Sequence, residues 1–261
     1  MNDAVVWRAD GPIGRITLNR PDRRNCMTGE LLDSFAAAVA QARASDVRVV
    51  VISGSGNCFS AGADLNIDLQ REATSRPMQP HESSYAMYKP FLSVLDIEVP
   101  VIGALNGHAV GGGFGLALVT DIRVANESSK YGANFARLGL HPGMAISYLL
   151  PRLVGVPRAA ELLFTGRLFS GADGLGMGLF NRAVPADHVA RVADELAAEI
   201  AASAPIAVRM MKKTFYAGIN WQPRDAAWQE AWAQAVTLTT NDAKEGIAAL
   251  LEKRPADFTG T

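Results

Sequence analysis

Phe59-Ser60-Ala61-Gly62-Ala63-Asp64-Leu65 and Asn106-Gly107-His108-Ala109-Val110-Gly111-Gly112-Gly113-Phe114-Gly115 decide how this chain reads. Each follows an apolar, β-branched run, Val47 to Ser53 before the first and Pro100 to Leu105 before the second. Such a run without polar alternation is the pattern of a strand covered on both faces. Each stretch therefore predicts a strand and then a turn of small residues. Glycine and alanine at such a turn let backbone approach a ligand closely and aim its N–H groups outward. Two such N–H groups, converging from two turns, would hold the oxygen of a carbonyl that is becoming an enolate. A helix is predicted to begin at the triple glycine, and the first N–H groups of a helix have no partner inside it.

Working outward, residues 4–9 and 13–19 read as two strands around an Asp10-Gly11 turn. A polar loop from Asn19 to Asn25 follows. Thr28 is placed to cap a helix whose apolar positions are Leu31, Leu32, Phe35, Val39 and Ala42. The stretch from Asn66 to Ser84 is polar and holds Pro77 and Pro80, which predicts a loop beside the site. A helix is expected from about Tyr85 to Leu95, with Pro90 marking a kink or a late start. Asp121 to Val124 reads as another strand. The strand–strand–helix unit recurs, with a loose period. Beyond residue 187 the pattern is helical throughout, opening near Val189, Ala204-Pro205, Asp225 and Asp242, with Pro255 ending the last helix. This predicts a core at 1–187 and a helical region at 188–261 that packs on the core or on a neighbouring subunit.

Composition narrows the class of protein. The 261 residues are 49% hydrophobic and 20% charged, with a formal charge of −1, as in an ordinary globular chain. No basic tract points to nucleic acid or to an anionic membrane surface, and no apolar run has the length of a membrane span. The first residues lack the features of a secretory leader. The two cysteines, Cys26 and Cys58, are expected to be free buried thiols, which fits a reducing, cytoplasmic setting. Phosphate-loop, nucleophile-elbow and metal-ligand motifs are absent from the sequence. His108 is expected to pack, and Trp221, Trp228 and Trp232 to lie in the core or at a subunit contact.

Taken in order, these segments resemble the crotonase superfamily, the enoyl-CoA hydratase/isomerase family. The resemblance runs through Asn19-Arg20-Pro21 with Asn25, Ala61-Gly62-Ala63-Asp64, and Asn106-Gly107 with Gly111-Gly112-Gly113. It continues through Asp121-Ile122-Arg123, Tyr131-Gly132, Leu138-Gly139-Leu140, Pro142-Gly143 and Leu153-Val154-Gly155. It ends in Glu245-Gly246-Ile247, Glu252-Lys253-Arg254-Pro255 and Phe258. It implies an α/β fold, a spiral of ββα units with a C-terminal helical trimerisation region. It also implies an acyl-CoA thioester as substrate, no metal, no cofactor beyond the coenzyme A of the substrate, and a homotrimer or hexamer. The oxyanion donors implied are the backbone N–H groups of Ala63 and Gly112. Arg24 and Ala61 match positions lining the CoA groove, and Lys253 matches a basic residue that meets the CoA nucleotide. Asp64 is read as a capping residue of its loop.

Two departures stand out. The family's hydratases use two glutamates, one two residues beyond the triple glycine and one three residues beyond the Tyr-Gly pair. Those positions are Gly115 and Phe135 here, and the place of an isomerase carboxylate is Gly143. Each positioned acid–base group contributes about 10²–10⁴-fold, so efficient hydration of a simple enoyl-CoA is not expected. His141 is open to two readings: a proton carrier near neutral pH, or a histidine bonded to backbone in a tight turn. The sequence thus predicts a lyase or isomerase that stabilises a thioester enolate. The alternatives are a malonyl-type acyl-CoA decarboxylase, a thioester or β-diketone hydrolase, and a non-catalytic acyl-CoA-binding protein.

Overall fold

A computed structural model describes residues 3–64 and 79–261. The strands are β1 (Val5–Asp10), β2 (Ile13–Leu18), β3 (Val49–Gly54), β4 (Cys58–Ser60), β5 (Val101–Leu105), β6 (His108–Val110), β7 (Ile122–Asn126), β8 (Lys130–Gly132), β9 (Phe169–Ser170) and β10 (Arg182–Val184). The helices are α1 (Gly29–Arg43), α2 (Pro80–Leu92), α3 (Gly112–Leu118), α4 (Ile146–Val154), α5 (Val156–Thr165), α6 (Gly171–Gly176), α7 (Val189–Ala201), α8 (Pro205–Gly218), α9 (Pro223–Leu238) and α10 (Asn241–Glu252).

Two sheets form, in the orders β1-β2-β3-β5-β7-β10 and β4-β6-β8-β9. From β2 to β10 the first is parallel, as are β4, β6 and β8 in the second. Successive turns of the chain place one strand in each sheet: β3 and β4, then β5 and β6, then β7 and β8. This is the expected spiral of ββα units. The unequal lengths inserted between turns explain why the repeat is loose in sequence.

β3 shows why its run is apolar at every position. Val50 and Ile52 enter the main core with Leu31, Phe35 and Val39 of α1, while Val49 and Val51 face the opposite way. There they meet Val189, Ala193, Ala197 and Ala201 of α7, one helical face of small residues lying close on the sheet. Thr28 caps α1 by accepting the N–H of Leu31 at 3.3 Å, as the sequence predicts.

One expectation needs correction. The polar loop was expected to reach Ser84, but α2 already begins at Pro80. Pro80 fits the first helical position, and the Glu82 carboxylate accepts the Gln79 N–H at 2.9 Å. The part of that loop at 66–78 lies outside the described residues. Within region 188–261, α7 is covered by the sheet, whereas α8, α9 and α10 leave Phe215, Trp228, Trp232, Val236, Leu250 and Leu251 exposed. Trp228 and Trp232 are therefore not core residues of the single chain. The chain end nonetheless docks: Arg48 donates to the Phe258 carbonyl at 2.6 Å, and buried Asp242 accepts the N–H groups of Thr259 and Gly260 at 2.8 and 2.9 Å.

Candidate active site

The first glycine loop is held by the polar turn at 20–27. Asn25 is fully buried, with φ of 52°, a left-handed conformation that asparagine tolerates. Its side chain accepts the Arg20 N–H at 2.8 Å and donates to the carbonyls of Ser55 and Cys58 at 3.1 and 2.8 Å. Its own carbonyl accepts the Ser60 hydroxyl at 2.8 Å. The Ala61 N–H donates to the Arg24 carbonyl at 3.0 Å, and the Met27 N–H to the Gly62 carbonyl at 2.8 Å. Arg24 and Ala61, predicted to share a groove, are thus brought together. Asp64 is buried, and its carboxylate pairs with Arg23, in keeping with a loop-holding role.

These bonds orient Ala63. It pairs with Met27 as a parallel bridge. Because Met27 donates to the residue before Ala63, the N–H of Ala63 itself faces away from that partner. Gly62 has φ of 81°, and a Cβ there would lie 2.7 Å from the Val110 carbonyl oxygen and 2.9 Å from the Gly112 nitrogen. Only glycine permits both the conformation and the approach. The two glycine loops are in direct contact at this point.

The second loop enters α3 through Gly111, with φ of 57° and ψ of −122°. The Gly111 N–H donates to the Gly132 carbonyl at 3.0 Å, and the Gly115 N–H returns to Gly111 at 3.1 Å. Gly112 is the first residue of α3, so its N–H has no acceptor within the helix.

Around these loops Met144, Phe135 and Tyr88 stand near the glycines where carboxylates were looked for, and the Asn134 Oδ1 lies 3.8 Å from a Cβ built at Gly111. A Cβ at Gly115 would collide with the Cβ of Met144 and lie 2.9 Å from its Cγ. Met144 is buried and, with Ala145, adopts a left-handed backbone, φ 58° and 55°. Neither is glycine, so the turn stores strain of about 1–2 kcal/mol per residue. The Phe135 ring reaches within 3.8 Å of a Cβ built at Gly111. Gly143 is covered by the tip of Tyr88 from α2. Sequence reasoning missed both Met144 and Tyr88, because they approach the glycines from distant segments.

The remaining candidates are spread more widely. His141 is exposed, with Nδ1 at 2.8 Å from the Pro142 carbonyl; a protonated Nδ1 donates there, which is the tight-turn arrangement. His108 is exposed rather than packed, and its Nδ1 accepts the Lys130 N–H at 2.8 Å. Lys253 lies at the end of α10, exposed, with φ of 57°. Burial pushes the Cys58 thiol up to about 11, and its S–H donates to the His108 carbonyl at 3.2 Å, so it stays a protonated thiol. Cys26 is raised in the same direction, chiefly by burial. Among the described residues no group of three or more His, Cys, Asp and Glu could hold a metal. No described helix is long and apolar enough to cross a membrane.

A cavity of about 580 Å³ lies elsewhere, between α8 and the segment Leu95–Glu98. Three of its polar groups, Lys212, Asp121 and Tyr216, are engaged with one another. Lys212 donates to Asp121 at 2.8 Å and to the Val99 carbonyl at 2.9 Å, and the Tyr216 hydroxyl donates to Asp121 at 2.6 Å. The Ala63 and Gly112 N–H groups, which the sequence expects at the site, lie in the paired glycine loops and not in this cavity.

The sequence profile described as Enoyl-CoA hydratase/isomerase matches residues 8–261. The chain belongs to this family. A putative enoyl-CoA hydratase from Thermus thermophilus is 36% identical over 97% of this chain and 100% of its own length. A short-chain-enoyl-CoA hydratase from Clostridium acetobutylicum is 30% identical over 96% of this chain and 95% of its own. Among solved structures, an enoyl-CoA hydratase from Bacillus anthracis superposes with a TM-score of 0.91 at 32% identity, covering 99% of this chain and 100% of its own. The crotonase fold anticipated from the motifs is therefore the fold of this enoyl-CoA hydratase/isomerase family member. Enzymes of this family act on acyl-CoA thioesters.

Proposed function

We propose that this chain is an acyl-CoA-processing enzyme in which the N–H groups of Ala63 and Gly112 hold the oxygen of a thioester enolate. The observation that carries the reading is the approach of Gly62 to Gly112, 2.9 Å from a built Cβ to the Gly112 nitrogen. It brings two loops together where one carbonyl oxygen can meet a donor from each. Arg24 and Ala61 line the groove for the CoA, and Lys253 meets its nucleotide end. The coenzyme A arrives as part of the substrate, and the reading requires neither a metal nor a separate cofactor. The exposed apolar side chains of α8–α10 support a homotrimer or hexamer.

Within this reading, rapid hydration of a simple enoyl-CoA is not the activity. Met144 fills the space beside Gly115, and Phe135 brings a ring where a base would be needed. The same apolar wall favours a second reading, decarboxylation of a malonyl-type thioester. The C–C bond to the carboxylate breaks, CO₂ leaves, and its electron pair forms the enolate that the two N–H groups hold. A proton then enters at the α-carbon. No general base is required. His141 is the remaining side-chain candidate for moving that proton, through Nε2.

The test is a panel of crotonyl-CoA, a malonyl-type CoA and a saturated acyl-CoA, followed by enone absorbance, CO₂ release and free thiol. CO₂ release with slow hydration supports the decarboxylase reading, and free thiol supports a hydrolase. Tight binding without turnover on any substrate makes the protein a carrier and overturns the enzyme reading. In His141→Ala, a loss of more than about tenfold in kcat at unchanged KM supports proton transfer by the imidazole. A smaller loss leaves His141 as a turn residue.

A further inference from the structure

Helix α2 sets the Tyr88 phenol against the turn at Gly143. Tyr88 is half-buried and packs on the main core beside Met87 and Leu92. Among the described residues its hydroxyl has no hydrogen-bond partner. The ring tip rests on Gly143, and a Cβ built there would collide with both Cζ and the hydroxyl oxygen of Tyr88. A side chain at 143 would displace the phenol, so glycine admits it. The next residue, Met144, covers Gly115 in the first turn of α3, and α2 itself packs against α3. Tyr88, the Gly143-Met144 turn and the start of α3 therefore form one continuous wall beside the paired glycine loops. Met144 and Phe135 make this wall largely apolar, and its polar side-chain groups are the Tyr88 hydroxyl and the Asn134 Oδ1, which lies as near a Cβ built at Gly111 as the Phe135 ring does, 3.8 Å. A largely apolar surface orients a ligand through the few polar groups it presents.

We propose that the Tyr88 hydroxyl recognises a carboxylate on the acyl chain, so that the site selects malonyl-type thioesters over plain acyl-CoA of similar size. This rests on the acyl-CoA reading above and names the substrate class for it. A neutral phenol orients a carboxylate without neutralising it, and leaves the second carboxylate oxygen facing an apolar surface. Tyr88 acts here on specificity, since it holds the acyl group while the two backbone N–H groups hold the thioester oxygen.

The test is calorimetric binding of malonyl-CoA and butyryl-CoA, with KM from CO₂ release where malonyl-CoA turns over. The wild-type protein is expected to prefer malonyl-CoA. Tyr88→Phe keeps the ring and is expected to weaken malonyl-CoA by about tenfold to a hundredfold, with butyryl-CoA and the melting temperature unchanged. Gly143→Ala keeps the hydroxyl but displaces it, and is expected to give the same selective loss. Equal effects on both ligands in Tyr88→Phe, or none on either, overturn the proposal while the butyryl-CoA arm preserves the acyl-CoA reading. If neither thioester binds the wild-type protein, both fall.

Discussion

The loop that carries Ala63 and the helices α8–α10 dispose of their surfaces in opposite ways. Between Arg20 and Asp64 the corners are tied by Asn25, Ser60, Arg24 and Met27, and buried Asn25 satisfies both ends of its amide. The loop is held by bonds within one chain, so its backbone is organised before any ligand arrives. In α9 and α10, by contrast, Trp228, Trp232 and Leu250 are 65%, 62% and 78% exposed. Their apolar area is not yet removed from water, and that driving force remains available for another surface. A site is rigid where the chain satisfies itself. A region is assembly-dependent where it does not.

The largest expected effect breaks the self-sufficient half of this contrast. Gly112→Pro removes one donor at the first position of a helix; a Cβ there would collide with the Met27 sulfur, so the variant is made in a Met27→Ala background and compared with Met27→Ala alone. Turnover of whichever thioester is processed is expected to fall by about 10²–10³, with the fold retained by circular dichroism. Retained turnover would remove Gly112 from the oxyanion site.

Next comes Gly115→Glu. Because Met144 fills that space, the single variant is expected to lose about 1–3 kcal/mol of stability in denaturant unfolding and to gain no hydration of crotonyl-CoA. Combined with Met144→Gly, which opens the space, it is expected to recover stability and to hydrate faster than either single variant. A stable Gly115→Glu single variant would show that Met144 is not the barrier.

The other half of the contrast is sharpened by Trp228→Glu. In an isolated chain a change at an exposed site costs no more than about 0.5 kcal/mol. In an assembled protein the new charge would enter the contact. Sedimentation is expected to show a shift to smaller species without loss of helix content. An unchanged mass would leave the Trp228 face outside the contact.

The smallest effect concerns the docked chain end. Hydrogen bonds from Arg254, at 2.6 and 2.9 Å, and from the Asp257 N–H hold the Glu245 carboxyl down at about 2. Its folded value lies below the ordinary 4.5, so the contribution is full above that value and is lost as pH falls through about 2. Hydrogen exchange at 255–261 is expected to rise over that acid range in the wild-type protein. In Glu245→Gln it should already be raised at neutral pH.

Much of the fold was legible in particular residues. Val49 to Ile52 announced a doubly covered strand, Thr28 a helix cap, and the order of glycine motifs the spiral. The start of α2 was not, because Gln79-Pro80-His81-Glu82 is as polar in sequence as the stretch before it, and the Gln79–Glu82 bond with Pro80 at the first helical position marks the helix. His108 was expected to pack because the family's relatives often carry an aromatic residue there, whereas its side chain is exposed and accepts the Lys130 N–H. Of the site, the glycine loops and the absent carboxylates could be read directly. What replaced those carboxylates could not.

The sequence by itself determined the family, the strand–turn–helix units and the places where backbone must come close, since each depends on local residue type and order. The tertiary structure alone decided that Met144 fills the space beside Gly115, that Tyr88 covers Gly143 and that Gly62 lies against Gly112. Those contacts join segments distant in the chain, and a glycine records only that something approaches it, not which side chain arrives.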